Sequence, residues 1–465
     1  MKKKVLVFGL VGDSLFMKTD HFHQPGETIV VDEIHKELGG KGFNQAVAIK
    51  KMKVDVGFLG TVGNDEIGMK SKAYLQNLNI DDYIIVKDNA NSSFATILTD
   101  NRGNNQVSVY PEGAKLLTTD DIDRYEYLFD EYEYILIQFE LDEHITSHIV
   151  KLSQKHHNKL IINPAPYHEW GLKYLKEAYL ITPNFNEASQ IFNYDGNSAD
   201  KLLKIIKDNY FTNTIVTIGK EGALLVTKTS VLKMPLIDHV KALDTTGAGD
   251  EFTGTLIAML IKGNTIEEAV AYANFASMLS VQKPYVLDSY AEIEDLKELT
   301  YVTDDEYSYR GFNNVRYTVR CFIEKDNKIA MLKIQGEDLF GKRNHLETSG
   351  GGIEPGETKE EAVKREIKEE TGYDVSNINF LGYFIHEACL IQRLTYAYYY
   401  VVTVNDKANN LNLNDYEKDL FKGLSWYQID ELEEVLKHNN QYKCDRMVHK
   451  RELLALELLR KHLMR

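Results

Sequence analysis

Cysteine is scarce in this 465-residue chain: Cys321, Cys389 and Cys444 are the only ones, and none forms a CxxC pair. That argues against a disulfide framework or a zinc module and fits a reducing cytoplasm. Positive charge is also in deficit, with 54 Lys and Arg against 70 Asp and Glu and a formal net charge of −16. Such a balance speaks against nucleic acid or an anionic membrane as the main partner. No run approaches the roughly 18 apolar residues that a membrane-spanning helix needs. The start, MKKKVLVFGL, carries the charge of a signal peptide, but its apolar run is only six residues long, short of a leader's core. A first β-strand is the expectation there. Internal repeats and low-complexity tracts are missing too. What the chain does have is 43% hydrophobic residues, enough to bury sizeable cores. An anionic substrate must then be held by local devices such as metal ions, helix N-termini and individual basic residues.

Short β-branched runs (VLVFGL, VDVGFLG, YILIQF, KLIINPAP, AYLITPN and TIVTIG) alternate with helical stretches such as FNQAVAIKKM and ITSHIVKLSQKH. That alternation predicts an α/β fold with a parallel sheet covered by helices. HFHQPGETIVVDEIHKELGG has the polar alternation of a small exposed sheet, a lid. Near residue 296 the pattern changes. ELTYVTDDEYSYRGFNN is polar and acidic without periodicity, so residues 297–312 read as a linker. Beyond it, VRYTVRCFIEKDNKIAMLKIQ reads as strand, turn and strand, and TYAYYYVVTV as a later, aromatic strand. Two domains are expected, 1–296 and 313–465.

Three stretches of the first domain carry chemistry. GGKGFNQA (39–46) places glycines before a helix, where backbone amides approach a ligand closely. DTTGAGDEF (244–252) precedes the helical run FTGTLIAMLI. The N–H groups of Gly247, Ala248 and Gly249 there face an anion at a helix N-terminus, and Asp250 is close enough to take a proton from an attacking hydroxyl. NFNE (184–187) offers Asn184 and Glu187 to a hydrated Mg²⁺ beside a triphosphate, although either residue is also an ordinary helix cap.

Together these motifs resemble the ribokinase (PfkB-type) carbohydrate kinase family over about residues 3–290, with GTVGNDEIG, INPAP, TPNFNEA and TIGKEG matching in order. The resemblance implies a ribokinase-like sheet with helices on both faces and a small lid. It makes Asp250 the general base and the 247–249 amides the anion hole. Gly40, Lys41, Gly42, Asn44 and Glu140 would contact a ribose-like sugar. Asn184, Glu187 and the 217–222 loop, with Thr217, Gly219 and Gly222, would serve ATP and Mg²⁺, with Asn274 near the adenine. Asp244 and Thr246 fall where the family holds a monovalent cation. The chain departs from the pattern twice. The sugar-binding aspartate expected at position 14 is Ser14, with Asp13 one residue early. The loop that completes a potassium site is replaced by QKPYVLDSY (282–290), which argues against K⁺ dependence.

A second set of motifs lies in GGGIEPGETKEEAVKREIKEETGY (350–373). Glu366, Glu369 and Glu370 stand at i, i+3 and i+4 and share a helix face, where like charges repel. Either the face is solvated, or a hard cation sits there. The stretch resembles the Nudix box through Gly351, Glu357, Arg365, Glu366, Ile367, Glu369, Glu370 and Gly372. The resemblance covers about 313–465 and implies an α/β/α sandwich that hydrolyses a nucleoside diphosphate derivative. Glu366, Glu369 and Glu370 would ligate Mg²⁺, Glu369 and Glu370 would act in catalysis, and Glu357 would pair with Arg365. ADP-ribose hydrolases of that family usually carry a proline past the box, and none follows Pro355 here. Tyr383, Tyr396, Tyr398, Tyr399 and Tyr400 could stack on a base, but core packing is the better expectation for most of them. The expected protein is thus a bifunctional cytoplasmic enzyme, a homodimer with sugar and nucleotide partners. The alternative is a kinase regulated by a nucleotide-sensing, non-hydrolysing Nudix domain.

Overall fold

The computed structural model describes residues 4–101, 105–407, 411 and 415–464. Two compact units divide at Leu296 and Lys297. The first is built on a nine-stranded sheet. From one edge it runs Val231–Met234, Ala223–Val226, Asn213–Thr217, Leu180–Ile181, Lys159–Asn163, Tyr134–Gln138, Val5–Phe8, Val56–Leu59 and Asp81–Asp82. Only the Ala223–Val226 strand is antiparallel to its neighbours. Strands such as Val5–Phe8 and Val56–Leu59 are buried at every residue, as expected for a sheet covered on both faces.

A separate four-stranded sheet, Glu33–Gly39, Gly12–Lys18, Ser93–Thr99 and Asn105–Tyr110, is the lid that the polar alternation predicts. Its glutamate-rich strand Glu33–Gly39 runs straight into the helix Lys41–Lys51, so the lid and the GGKG turn are one continuous device. The helix Ala248–Lys262 has glycine at each end, with both Gly247 and Gly263 in the left-handed region. At Gly247 a Cβ would also meet Val286 Cγ1 at 2.5 Å, so the turn before Asp250 accepts only glycine.

The second unit holds a seven-stranded sheet ordered Leu299–Val302, Tyr373–Ala388, Arg393–Lys407, Asn314–Lys325, Lys328–Asp338 and Gly341–Glu347, with Phe421–Tyr427 also pairing with Lys328–Asp338. The helix Lys359–Thr371 starts on a capping box between Thr358 and Glu361 and ends at Gly372. Two C-terminal helices, Ile429–His438 and Lys443–Leu463, pack on Phe322, Phe384, Tyr399 and Val401 through Leu432, Leu436, Leu456 and Leu459.

The stretch expected to be a linker is not one. Leu299–Val302 pairs in parallel with Tyr383–His386 at the sheet edge. The Tyr301 hydroxyl donates to Glu387 at 3.0 Å, and Asp304 accepts from the Cys389 amide at 2.8 Å. These residues alternate apolar and polar too briefly for a strand to be read, and the pairing partner that stabilises them lies over eighty positions away. Among the described residues no helix is long and apolar enough to cross a membrane.

Candidate functional site

In the first unit a cavity of about 960 Å³ opens between the lid and the ends of the sheet strands. Asp250 lies at its wall, in the first turn of the helix Ala248–Lys262, and is 7% exposed. Its two oxygens are separately held: Asn44 Nδ2 donates to one at 3.1 Å, and Gln45 Nε2 donates to the other at 2.9 Å. Gln45 also donates to Asn163 Oδ1 at 3.1 Å and accepts from Gln138 Nε2 at 2.7 Å. Burial pushes the Asp250 carboxyl above its usual value, while the Lys41 ammonium and the two amide donors pull it back.

Lys41 lies in the same wall. Burial opposes its charge, but Asp250, Glu140 and Glu187 outweigh it and hold the ammonium above the usual lysine value. Glu140 accepts from the Lys41 amide at 3.0 Å and is raised by burial to about 7. The result is one cation among three carboxylates beside a helix N-terminus. The amides of Gly247 and Gly249 have no acceptor among the described residues, so the positive end of that helix faces the cavity unpaired.

The loop 282–290 closes the other side. Asp244 accepts from the amides of Thr246 at 2.9 Å and Tyr285 at 3.1 Å. Glu37 of the lid accepts from Val286 at 2.9 Å and Leu287 at 3.2 Å, and burial lifts it to about 7. Tyr285 stacks on His35 at 3.7 Å between ring centroids.

In the second unit Arg365 organises the glutamates. It donates to both oxygens of Glu357 at 2.8 and 2.9 Å, to Glu366 at 2.7 Å, to Glu369 at 3.4 Å and to the Gly352 carbonyl at 2.8 Å. Glu370 accepts from Ser349 Oγ at 2.6 Å and the Gly350 amide at 2.9 Å. Burial raises Glu366 and lifts Glu370 to about 8, where the neighbouring Glu366 adds to the effect. Among the described residues no three His, Cys, Asp or Glu side chains converge as a ready-made metal cage. Mg²⁺ does not require one, since it binds through one or two carboxylates plus substrate phosphates. The donor set fits: Glu366 and Glu370 are 7% and 8% exposed, and a Cβ on Gly351 would meet Glu366 Oε1 at 2.5 Å. The glycine is what gives that carboxylate its space.

Comparison with known proteins agrees with this geometry. The model of the pfkB family carbohydrate kinases matches residues 2–293. The chain belongs to the pfkB family. A NUDIX domain follows at residues 315–446. The chain is 30% identical over 287 residues to the bifunctional ribokinase/ribose-5-phosphate isomerase A of Fructilactobacillus sanfranciscensis, covering 60% of this chain and 53% of that protein. It is 28% identical to the ribokinase of Staphylococcus aureus over 64% of this chain and 100% of that one. The solved ribokinase of Thermotoga maritima superposes with a TM-score of 0.56 at 28% identity, covering 64% of this chain and 98% of that one. The ribokinase-type sheet and the Nudix region are therefore as the motifs implied.

Within this pfkB unit the expected residues do not all gather. Asp13, Gly40, Lys41, Asn44, Glu140, Asn184, Thr217, Gly219, Thr246, Gly247, Gly249 and Asp250 line the cavity. Gly42 lies just behind, with its open side against Gln138 and Gly9. Asn184 and Glu187 form a capping box on the helix Phe185–Ile191, and Glu187, raised by burial, interacts with the Lys41 charge. Ala248 is not in the wall: its amide donates to the Thr245 carbonyl at 3.4 Å, and its carbonyl accepts from Ser277 Oγ at 2.9 Å. Asn274 is 4% exposed and donates to the Met234 carbonyl at 3.0 Å, which makes it a tie between helix and strand rather than a wall residue. Gly222 turns in the left-handed region against the Met234 carbonyl, again structural.

Ser14, paired in register with Glu37, shares the strand face of Phe16. Asp13 takes the other face, where its charged neighbours are Lys36, Lys70 and Glu66. Sequence reasoning missed Gln45, Gln138, Asn163 and Glu37. The signal for Gln138 and Asn163 was present: each is the polar end of an otherwise apolar strand run, and they pair in register. In the Nudix unit Tyr396, Tyr398, Tyr399 and Tyr400 are all at most 4% exposed, so both faces of that strand are covered.

Proposed function

We propose that the first unit transfers a phosphoryl group from ATP to a hydroxyl of a small ribose-like sugar, and that the second hydrolyses a pyrophosphate bond in a nucleoside diphosphate derivative. The observation that carries the first half is the Asp250 carboxylate, fixed by Asn44 and Gln45 beside an unpaired helix N-terminus. In that position it removes the proton of the attacking hydroxyl. The amides of Gly247 and Gly249 hold the negative charge of the transferring group, and Lys41 keeps Asp250 ionised. The buried Asn44 Oδ1 and Gln138 Oε1 have no partner, and Asn44 supplies an acceptor for a sugar hydroxyl. The likeness to ribokinases at 28% identity supports a pentose.

In the second unit Glu366, Glu369 and Glu370 would hold Mg²⁺, which when bound supplies charge neutralisation at phosphate oxygens and a water of lowered pKa. The chain's own part is orientation. Arg365 fixes Glu357, Glu366 and the Gly352 carbonyl as one rigid corner, and Ser349 and Gly350 aim Glu370.

An assay of ADP release by the full chain, across pentoses and nucleosides, tests the kinase half, and turnover of at least one pentose is expected. Mg²⁺-dependent breakdown of a nucleoside diphosphate panel tests the other half. Tight binding without any turnover would favour the sensing alternative.

A further inference from the structure

On one face of the second unit's sheet, positive charge accumulates that carboxylates offset only in part. Register places Arg316, Thr395 and His386 in one row across three strands, with Arg393 and Asn314 in the row before and Arg320 and Tyr399 two rows on. With side chains alternating along each strand, all of these share a face. Towards one end this face is the apolar core under the helix Lys443–Leu463. Towards the other it turns polar.

Glu347 and Glu452 compensate only part of the charge. Arg320 Nη1 lies 3.2 Å from Glu347, and Arg451 lies 2.5 Å from Glu452 and 3.5 Å from Glu347. Arg316 and Arg393 have no carboxylate within ion-pair distance among the described residues. Burial, together with Arg316 and Arg320, holds the Arg393 guanidinium below its usual value. Burial beside Arg451, Arg320 and Arg393 keeps the His386 imidazole neutral.

A second observation is independent of charge. Thr318 and Thr395 are each 3% exposed, and their hydroxyls have no hydrogen-bond partner; nor do the buried Arg393 Nε and His386 Nε2. Buried polar atoms left unsatisfied cost about 1–3 kcal/mol each, and here they sit together among unpaired arginines. Arg316 is exposed, so the face opens to solvent. It adjoins the glutamate site: Thr318 bridges to Gly352, where a Cβ would meet Arg316 Nη2 at 2.9 Å.

We propose that this face binds a phosphate group of the second unit's substrate, with Arg316 and Arg393 as the guanidinium forks and Thr318, Thr395 and His386 completing the cradle. Each fork can bind two oxygens of a phosphate, and two uncompensated arginines match the charge of a phosphate dianion where a lone carboxylate would offset only one. The substrate therefore spans from the carboxylates of the helix Lys359–Thr371 to this wall and carries phosphate at both places. This deepens the hydrolase reading, and binding here needs no metal.

The test is calorimetric binding of inorganic pyrophosphate to the full chain with divalent ions chelated, for wild type, the double variant Arg316→Gln/Arg393→Gln, and Glu369→Gln. The kinase cavity is common to all three, so differences report this face. The double variant is expected to bind at least tenfold more weakly, Glu369→Gln to bind no more weakly than wild type because it removes a negative charge, and the double variant's ligand-free melting temperature to stay level or rise as like charges are removed. Equal binding by wild type and double variant overturns the proposal. A clear fall in the double variant's melting temperature also overturns it, because the guanidiniums would then be held by the fold rather than kept for a ligand. Should Glu369→Gln leave turnover intact, the hydrolase reading fails while this binding result still stands.

Discussion

Replacing Asp250 by asparagine separates the chemistry of the pfkB unit from its architecture. The carboxylate accepts from Asn44 through one oxygen and from Gln45 through the other. Asparagine keeps one acceptor, so one of those donors then faces an NH₂ group. A buried donor left without its partner costs about 1–3 kcal/mol. Against that, the variant no longer has to bury a carboxylate whose pKa is pushed up by desolvation. The two effects oppose each other, and for a unit of this size each kcal/mol moves the melting temperature by roughly 2–4 °C. A shift of only a few degrees is expected. Loss of a general base instead lowers kcat by about 10²–10⁴, or roughly 3–5 kcal/mol in the barrier. The measurement is kcat and KM for the best sugar by ADP release, alongside calorimetric melting. In wild type the acid limb of kcat/KM should lie above the ordinary aspartate range, because the group must be ionised to act and burial raises its pKa. The variant should lose that limb. A kcat within fivefold of wild type would refute the base assignment. A melting temperature lowered by ten degrees or more would show that the lost activity came from a damaged fold.

Three further outcomes are expected. Glu369→Gln should lower pyrophosphate hydrolysis by orders of magnitude and leave sugar phosphorylation untouched, with little change in stability, since its 3.4 Å contact to Arg365 is partly exposed and such pairs are worth under about 1 kcal/mol; wild-type hydrolysis would leave these glutamates a solvated face. Fragments 1–296 and 297–465 should each melt cooperatively and keep their activities, whereas 311–465 should be clearly less stable because it loses Leu299, Tyr301 and Val302, all at most 8% exposed; equal melting of the two C-terminal fragments would contradict the strand's role. His449 Nε2 accepts from the Leu346 amide at 3.0 Å, so the ring must stay neutral, and burial holds it down to about 4 from an ordinary 6.5. A folded-state pKa depressed in this way gives stability that is complete above about pH 6.5 and lost as pH falls towards 4, amounting to about 2 kcal/mol by pH 5. Melting of the second unit at pH 7 and pH 5, compared with His449→Gln, should show that difference, and equal pH slopes would rule it out.

The elements readable from sequence were those whose cause is local. Val5–Phe8 and Tyr134–Gln138 are apolar at nearly every position, and burial on both faces leaves them no other reading. Thr358, Glu361 and Gly372 write the start and stop of the glutamate helix within a few residues of it. Leu299–Val302 was not legible for the opposite reason. Four residues in a polar stretch become a strand only because Tyr383–His386 offers a free edge, and nothing within the segment says so.

The proposed kinase site divides along the same line. Asp250, Lys41 and Glu140 sit in motifs whose spacing announces them, yet what sets their charge states is non-local. Asp250 is held by Gln45 across 205 positions, and Lys41 by Glu140 across 99. The same holds for the arginine face of the second unit. Arg316 and Arg393 are isolated cations in sequence, and a lone arginine on a strand is ordinarily a solvated one. Strand pairing in parallel register turns them into neighbours on a face with two unsatisfied threonines. Their repulsion is a cost that folding alone gives no reason to keep, since glutamine at either place would satisfy the same strand. A ligand that carries the missing negative charge removes that cost and satisfies the threonine hydroxyls at once, which is why the face reads as a binding wall and not as a remnant of packing.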